Sequence, residues 1–256
     1  VKEIVNSPHQ KINVACFGDS LTNDGIWCAE AARRLVGQGG SPIGNELQNI
    51  EFVGSKQNNL AKYFGSGGWT WSNYTKKGTP AYRFQVNGIT SLSIGAVYSI
   101  NGNSFTIIEI NVTDGSGNIL CSVDSEQSVP SSGILTKIQG NGDSEINYSS
   151  VALETNNPLW DNEKNKMSFI PYANRYADGK IDVVYTLLTW NGLAAGKTDF
   201  SDIIEDVEIF ANTLHEEFPN AKLKIMGIEI PSLKGGMGAN YGATGYGYAD
   251  SYGMAI

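Results

Sequence analysis

A serine placed just past a core strand and just before a helix carries its hydroxyl at the carboxyl edge of a sheet, beside helix N–H groups that lack intrahelical partners. Ser20, in the string Phe17-Gly-Asp-Ser-Leu-Thr22, occupies such a position. The partial positive charge there favours an alkoxide or a bound anion by about 0.3–1 kcal/mol at an exposed site, which suits a nucleophile. Gly18, Asp19 and Ser20 are also the residue types of an ordinary turn. The run Gly65-Ser-Gly-Gly-Trp-Thr-Trp71 reads as a flexible loop or as an anion cradle. No Gly-Lys-Ser/Thr follows it, so a nucleotide phosphate loop is not indicated. Asn191, which follows an apolar strand, reads as a helix cap or turn residue. A serine nucleophile needs a proton acceptor, and the histidines are His9, before the first strand, and His215, inside a helix. His215 lies about 80° from the centre of the apolar stripe of its helix at about 100° per residue, on a flank where a solvated or half-buried histidine is ordinary. Trp69, Trp71 and Trp190 can form an aromatic wall for an acyl or sugar group, or pack loops onto the sheet.

The string around Ser20 closely resembles the first block of the SGNH (GDSL) esterase and lipase family. The resemblance implies that Ser20 is the nucleophile and that its own N–H helps hold the oxyanion, with Asp19 structural. The second block supplies an oxyanion-binding glycine N–H, and Gly68 is the matching residue. The third block, Gly-x-Asn-Asp after a buried strand, resembles Leu188-Thr-Trp-Asn-Gly192. Asn191 aligns with the side-chain donor, while Thr189 and Gly192 depart from the pattern. Asn157-Pro-Leu-Trp-Asp161 also resembles a segment that leads into this strand in some members. The fifth block, Asp-x-x-His, has no counterpart in these 256 residues. The expectation is that a portion carrying it follows Ile256, the other account being a descendant without turnover.

These residues need elements to position them. Lys11 to Phe17 is a short apolar run of strand formers, and Gly25 to Val36 has a helical pattern. Glu51 to Gly54, Ile181 to Leu188 and Leu223 to Ile230 read as further strands, the second nearly continuous and buried in type. Ile203, Ile204, Val207, Phe210, Ala211, Leu214 and Phe218 recur at three and four residues and predict a helix, capped by Asp199 or Ser201 and stopped by Pro219. Strands alternating with helices predict parallel pairing. Together with the resemblance this gives the expected fold: a three-layer α/β/α, flavodoxin-like hydrolase domain with a parallel sheet, residues 10–78 and 154–256. Residues 79–153 break the rhythm. Tyr82 to Val86, Gly95 to Ile100, Phe105 to Val112, Ile119 to Val123, Ile134 to Ile138 and Glu145 to Tyr148 predict short strands of an inserted all-β domain. Asp114-Gly-Ser-Gly-Asn118 lacks the acid spacing of a calcium loop and reads as a hairpin turn. The glycine-rich stretch after Pro231 reads as a mobile loop.

Composition bounds the partners. Eighteen basic and twenty-six acidic residues give a net charge of -8, which repels a phosphate backbone and argues against nucleic acid. No apolar run approaches the roughly 20 residues of a membrane helix. Three cysteines, Cys16, Cys28 and Cys121, contain no C-x-x-C pair, so neither a zinc site nor a disulfide framework is indicated. Cys16 and Cys28 are expected to be buried as small apolar residues.

By resemblance the activity is hydrolysis of carboxylic esters through Ser20, Gly68 and Asn191, with no metal or organic cofactor. The substrate is open among acetylated polysaccharide, lipid and small-molecule esters, with esters on carbohydrate favoured. The family's habits and an N-terminus at Val1 imply a secreted or periplasmic protein. A non-catalytic glycan-binding or scaffold protein that keeps the fold is the rival class. Oligomeric state is open.

Overall fold

The computed structural model of the protein describes residues 10–188, 191 and 199–226. Its contacts divide the chain into two compact units, Val1–Thr75 with Ser168–Ile256, and Lys76–Met167. The first unit opens with strand β1 (Ile12–Gly18), helices α1 (Ser20–Asn23) and α2 (Ile26–Val36), strands β2 (Ile50–Val53), β3 (Lys56–Asn58) and β4 (Ala61–Gly65), and helix α3 (Trp71–Thr75). The second unit holds β5 (Pro80–Asn87), β6 (Val97–Ile100), β7 (Asn103–Thr113), β8 (Ser116–Ser122), β9 (Gly133–Gln139) and β10 (Glu145–Thr155), then β11 (Trp160–Asp161) and β12 (Lys166–Met167). The chain returns to the first unit with α4 (Ile170–Tyr176), β13 (Val183–Leu187), α5 (Ser201–Glu217) and β14 (Lys222–Ile225).

In the first unit β1 is central, with β13 parallel on one side and β2 and β4 parallel on the other. β14 extends the sheet parallel to β13, and β3 runs antiparallel to β4 at the opposite edge. Because side chains alternate along a strand, β1 feeds two cores. Val14 and Cys16 pack with Cys28 and Ala32 of α2. Phe17 meets the rings of Tyr74 in α3, Phe169 and Tyr172 at α4, and Phe210 in α5, at centroid separations of 5.7, 6.1, 4.8 and 6.2 Å. Each large apolar side chain so buried contributes roughly 1.5–3 kcal/mol.

In the second unit six antiparallel strands close a barrel in the order β10-β5-β8-β7-β6-β9. Phe84, Tyr98, Phe105, Ile107 and Ile119 fill its interior. The β6–β7 and β7–β8 hairpins turn through Asn101-Gly102 and Asp114-Gly115, all four residues at φ between 52 and 81°. That left-handed pair matches the twist of the flanking strands, which is why Asn-Gly and Asp-Gly stand there. Arg83 lies between Glu109 at 2.8 Å and Glu154 at 2.9 Å, with side-chain exposures of 10%, 4% and 19%.

The expected flavodoxin-like, three-layer α/β/α fold with a parallel sheet is overturned. Helix makes up only 21% of the described residues, six strands form a closed antiparallel barrel, and the remaining large sheet is mixed. The mixing has a local cause. Asn58 pairs with Ala61, which leaves only Asn59 and Leu60 to reverse the chain, and Asn59 takes φ 51° to do so. A parallel pairing needs a crossover of a dozen or more residues.

Candidate active site

Three strands of the first unit end side by side. Gly18 of β1 is in register with Leu187 of β13 and with Gly65 of β4. Two hydrogen bonds lock these ends, from Asp19 N to Leu187 O at 3.3 Å and from Ser66 N to Gly18 O at 3.1 Å. Ser20, Gly68 and Asn191 follow the ends of β1, β4 and β13 respectively, so parallel pairing delivers all three to one edge of the sheet.

Ser20 is exposed and begins α1, where its N–H has no intrahelical acceptor. Asp19 caps that helix through Oδ1, which accepts from Leu21 N at 3.0 Å. Asp19 is fully buried and its Oδ2 has no hydrogen-bond partner among the described residues. Burial pushes its carboxyl above the usual carboxylate range, against the opposing pull of the Leu21 N–H. Acting as a buried cap, Asp19 is poorly placed to take a proton from Ser20. Gly18 admits no side chain, since a Cβ there would lie 1.8 Å from Thr22 Oγ1 and 2.7 Å from Leu187 O.

Gly68 has φ 77°, and a Cβ built on it would meet nothing within 4 Å. Glycine is used there for its backbone conformation, and the space beside it is open. Asn191 is exposed, and its Nδ2 donates to Trp69 O at 3.0 Å. The loop after β13 is thereby tied to the residue next to Gly68. A primary amide has two N–H donors, and among the described residues the one acceptor met is Trp69 O. Lys56 braces the same corner, donating to Gly65 O at 2.6 Å and to Asn23 Oδ1.

Trp69 and Trp71 pack rather than form an open wall. Trp69 lies against Phe64 and Tyr74 at 5.4 and 4.9 Å, and Trp71 against Phe210 at 5.2 Å. Cys16 and Cys28 are buried, and contact with Cys28 together with burial holds the Cys16 thiol well above its ordinary range. The helix α5 has Phe200 as its N-cap, while Asp199 Oδ1 accepts from Ser201 N at 2.9 Å. Neither Asp199 nor Ser201 is the cap itself. His9, Thr189, Trp190, Gly192 and the glycine-rich stretch after Pro231 lie outside the described residues.

His215 is exposed in the last turn of α5. Because α5 connects two parallel strands, β13 and β14, it runs back from their carboxyl edge to their amino edge. Its last turn therefore lies at the edge of the sheet opposite Ser20. Among the described residues no group of three or more His, Cys, Asp or Glu side chains comes together. No described helix is long and apolar enough to cross a membrane.

No motif in the sequence marks Lys56 or Tyr74. Lys56 follows Gly54-Ser55 without a motif, and Tyr74 lies in a five-residue helix too short to show a period.

No family model matches the chain, and no curated protein matches it. Among solved structures it is similar to one described as a peptidoglycan O-acetylesterase in action, at 14% identity and a TM-score of 0.32, with 94% of this chain and 75% of that chain covered. The likeness is distant.

Proposed function

We propose that the protein is a serine hydrolase of carboxylic esters, with Ser20 as nucleophile and Ser20 N, Gly68 N and Asn191 Nδ2 as oxyanion donors. The observation that carries this reading is the register of β1, β4 and β13, whose adjacent ends bear an exposed serine and two loops joined by the Asn191–Trp69 hydrogen bond. Ser20 Oγ attacks the acyl carbon and gives up its proton to a base, and the carbonyl oxygen becomes an oxyanion facing the donors. Collapse expels the alcohol, which takes the proton from the base and leaves an acyl-serine. Water then repeats the sequence and releases the acid. His215 is at the wrong edge of the sheet to serve as the base. Substrates range from small esters to acetylated polysaccharide, and the net charge of -8 disfavours anionic polymers.

The test is labelling of the full chain with a fluorophosphonate, mapped by peptide mass, alongside hydrolysis of p-nitrophenyl acetate and an acetylated xylan. Label on Ser20, lost with hydrolysis in Ser20→Ala, is expected. Label on another serine refutes the mechanism, and no label together with binding of the acetylated xylan assigns the chain to the non-catalytic class.

A further inference from the structure

α1 has only four residues and its cap is local, so something else must hold the turn of Ser20 against the neighbouring loops. We propose that Tyr74 is the positioning residue of this corner, an inference that rests on the esterase reading of Ser20. Tyr74 is fully buried in α3. Its hydroxyl closes a two-way pair with one residue, accepting from Gly18 N at 3.1 Å and donating to Gly18 O at 2.8 Å. Gly18 is the last residue of β1, one before Asp19 and two before the nucleophile. The same Gly18 oxygen accepts Ser66 N, so the phenol and the start of the Gly68 loop converge on a single carbonyl.

The ring makes the second connection. It stands edge-on to Trp69 at 4.9 Å and to Phe64 at 6.0 Å. Trp69 follows Gly68 directly and offers the carbonyl that holds Asn191. One side chain thus touches the backbone ahead of Ser20 and the residue to which both oxyanion loops are fastened. Burial holds the phenol well above its ordinary range, so it remains a hydrogen-bond donor throughout the neutral range. Tyr74 touches no reacting atom. It acts by fixing the distance between Ser20 and the donors, and a misplacement of about 1 Å at such a site costs about 10²-fold in rate.

Tyr74→Phe keeps the ring and removes both hydrogen bonds. The expected result is a fall in kcat of about tenfold or more with KM little changed, because the ester still binds but meets misaligned donors. Labelling of Ser20 by a fluorophosphonate slows in parallel, and Gly18 and Ser66 amides exchange with deuterium faster relative to the rest of β1. A lower Tm with kcat and the relative exchange of Gly18 unchanged would mean that Tyr74 is only a core residue, and the proposal falls. If the unaltered protein neither hydrolyses esters nor labels at Ser20, the esterase reading fails. The exchange measurement then still judges the clamp: unchanged protection of Gly18 in the variant overturns it. Should the variant not fold, the unaltered chain decides. Gly18 N–H is expected to exchange as slowly as the amides at the centre of β1, and exchange at the rate of the exposed turn refutes the clamp.

Discussion

Replacing Asn191 by alanine separates two roles open to its amide. One Nδ2 hydrogen donates to Trp69 O at 3.0 Å, and in the proposed mechanism the second faces the developing oxyanion. A neutral tether contributes about 0.5–1.5 kcal/mol net, so if that were its whole role the rate would fall by about tenfold at most. Asn191 is exposed, which places the tether toward the low end of that range. A donor lost from an oxyanion hole costs about 2.7–4 kcal/mol, or about 10²–10³ in kcat. The ranges do not overlap, so a single substitution distinguishes them. The larger loss is expected, with KM little changed, because the contact strengthens only as charge develops on the oxygen. The assay is steady-state hydrolysis of p-nitrophenyl acetate, with Ser20→Ala as the floor and a thermal melt to establish folding. A loss of less than about threefold removes Asn191 from the site. A loss near tenfold leaves it as a tether alone.

Further outcomes follow from buried charges. In the barrel, Arg83→Met removes the guanidinium that Glu109 and Glu154 share, and breaking a buried ion cluster on one side costs about 3–5 kcal/mol. Denaturant unfolding followed by near-ultraviolet dichroism of the barrel aromatics measures it, and a loss under about 1 kcal/mol would put the cluster in effective contact with solvent. The raised carboxyl of Asp19 gives a signed pH effect. The folded chain holds that proton more tightly than the unfolded chain, so the contribution is full below the ordinary aspartate range and is lost as pH rises through the raised folded value. Asp19→Asn keeps the oxygen that accepts Leu21 N and should flatten that part of the stability profile. A profile of denaturation midpoints that is the same in both proteins would refute the assignment.

Much of what local sequence encodes is visible before any coordinates. The apolar run from Lys11 ends where Gly18, Asp19 and Ser20 follow, and β1 ends at Gly18 for that reason. The three-and-four spacing from Ile203 to Leu214 forms α5 from Ser201 to Glu217. Asp114-Gly115 turns between β7 and β8 because its two residues tolerate positive φ. Other elements leave no such trace. Ala61–Gly65 is five residues with burial that scarcely alternates, so β4 has no period to read, yet it carries the second loop of the site. α3 and α4 are five and seven residues long, below the length at which a helical stripe becomes evident.

The fold class is not legible in the alternation alone, for a related reason. Alternating strands and helices predict parallel pairing only when each connection is long enough to cross over, and the Asn59-Leu60 turn is not. Sequence by itself therefore determined the chemistry available at each strand end: a serine after Gly18-Asp19, a glycine-rich loop and an asparagine after an apolar strand. Only the tertiary structure decided that they share one edge. Asn191 and Trp69 are 122 positions apart, and Gly18 and Tyr74 are 56 apart. Torsional preference and burial period act over a few neighbouring residues, whereas such distant pairings are selected by how whole elements pack, with the entropy of closing the intervening chain offset by the core they bury.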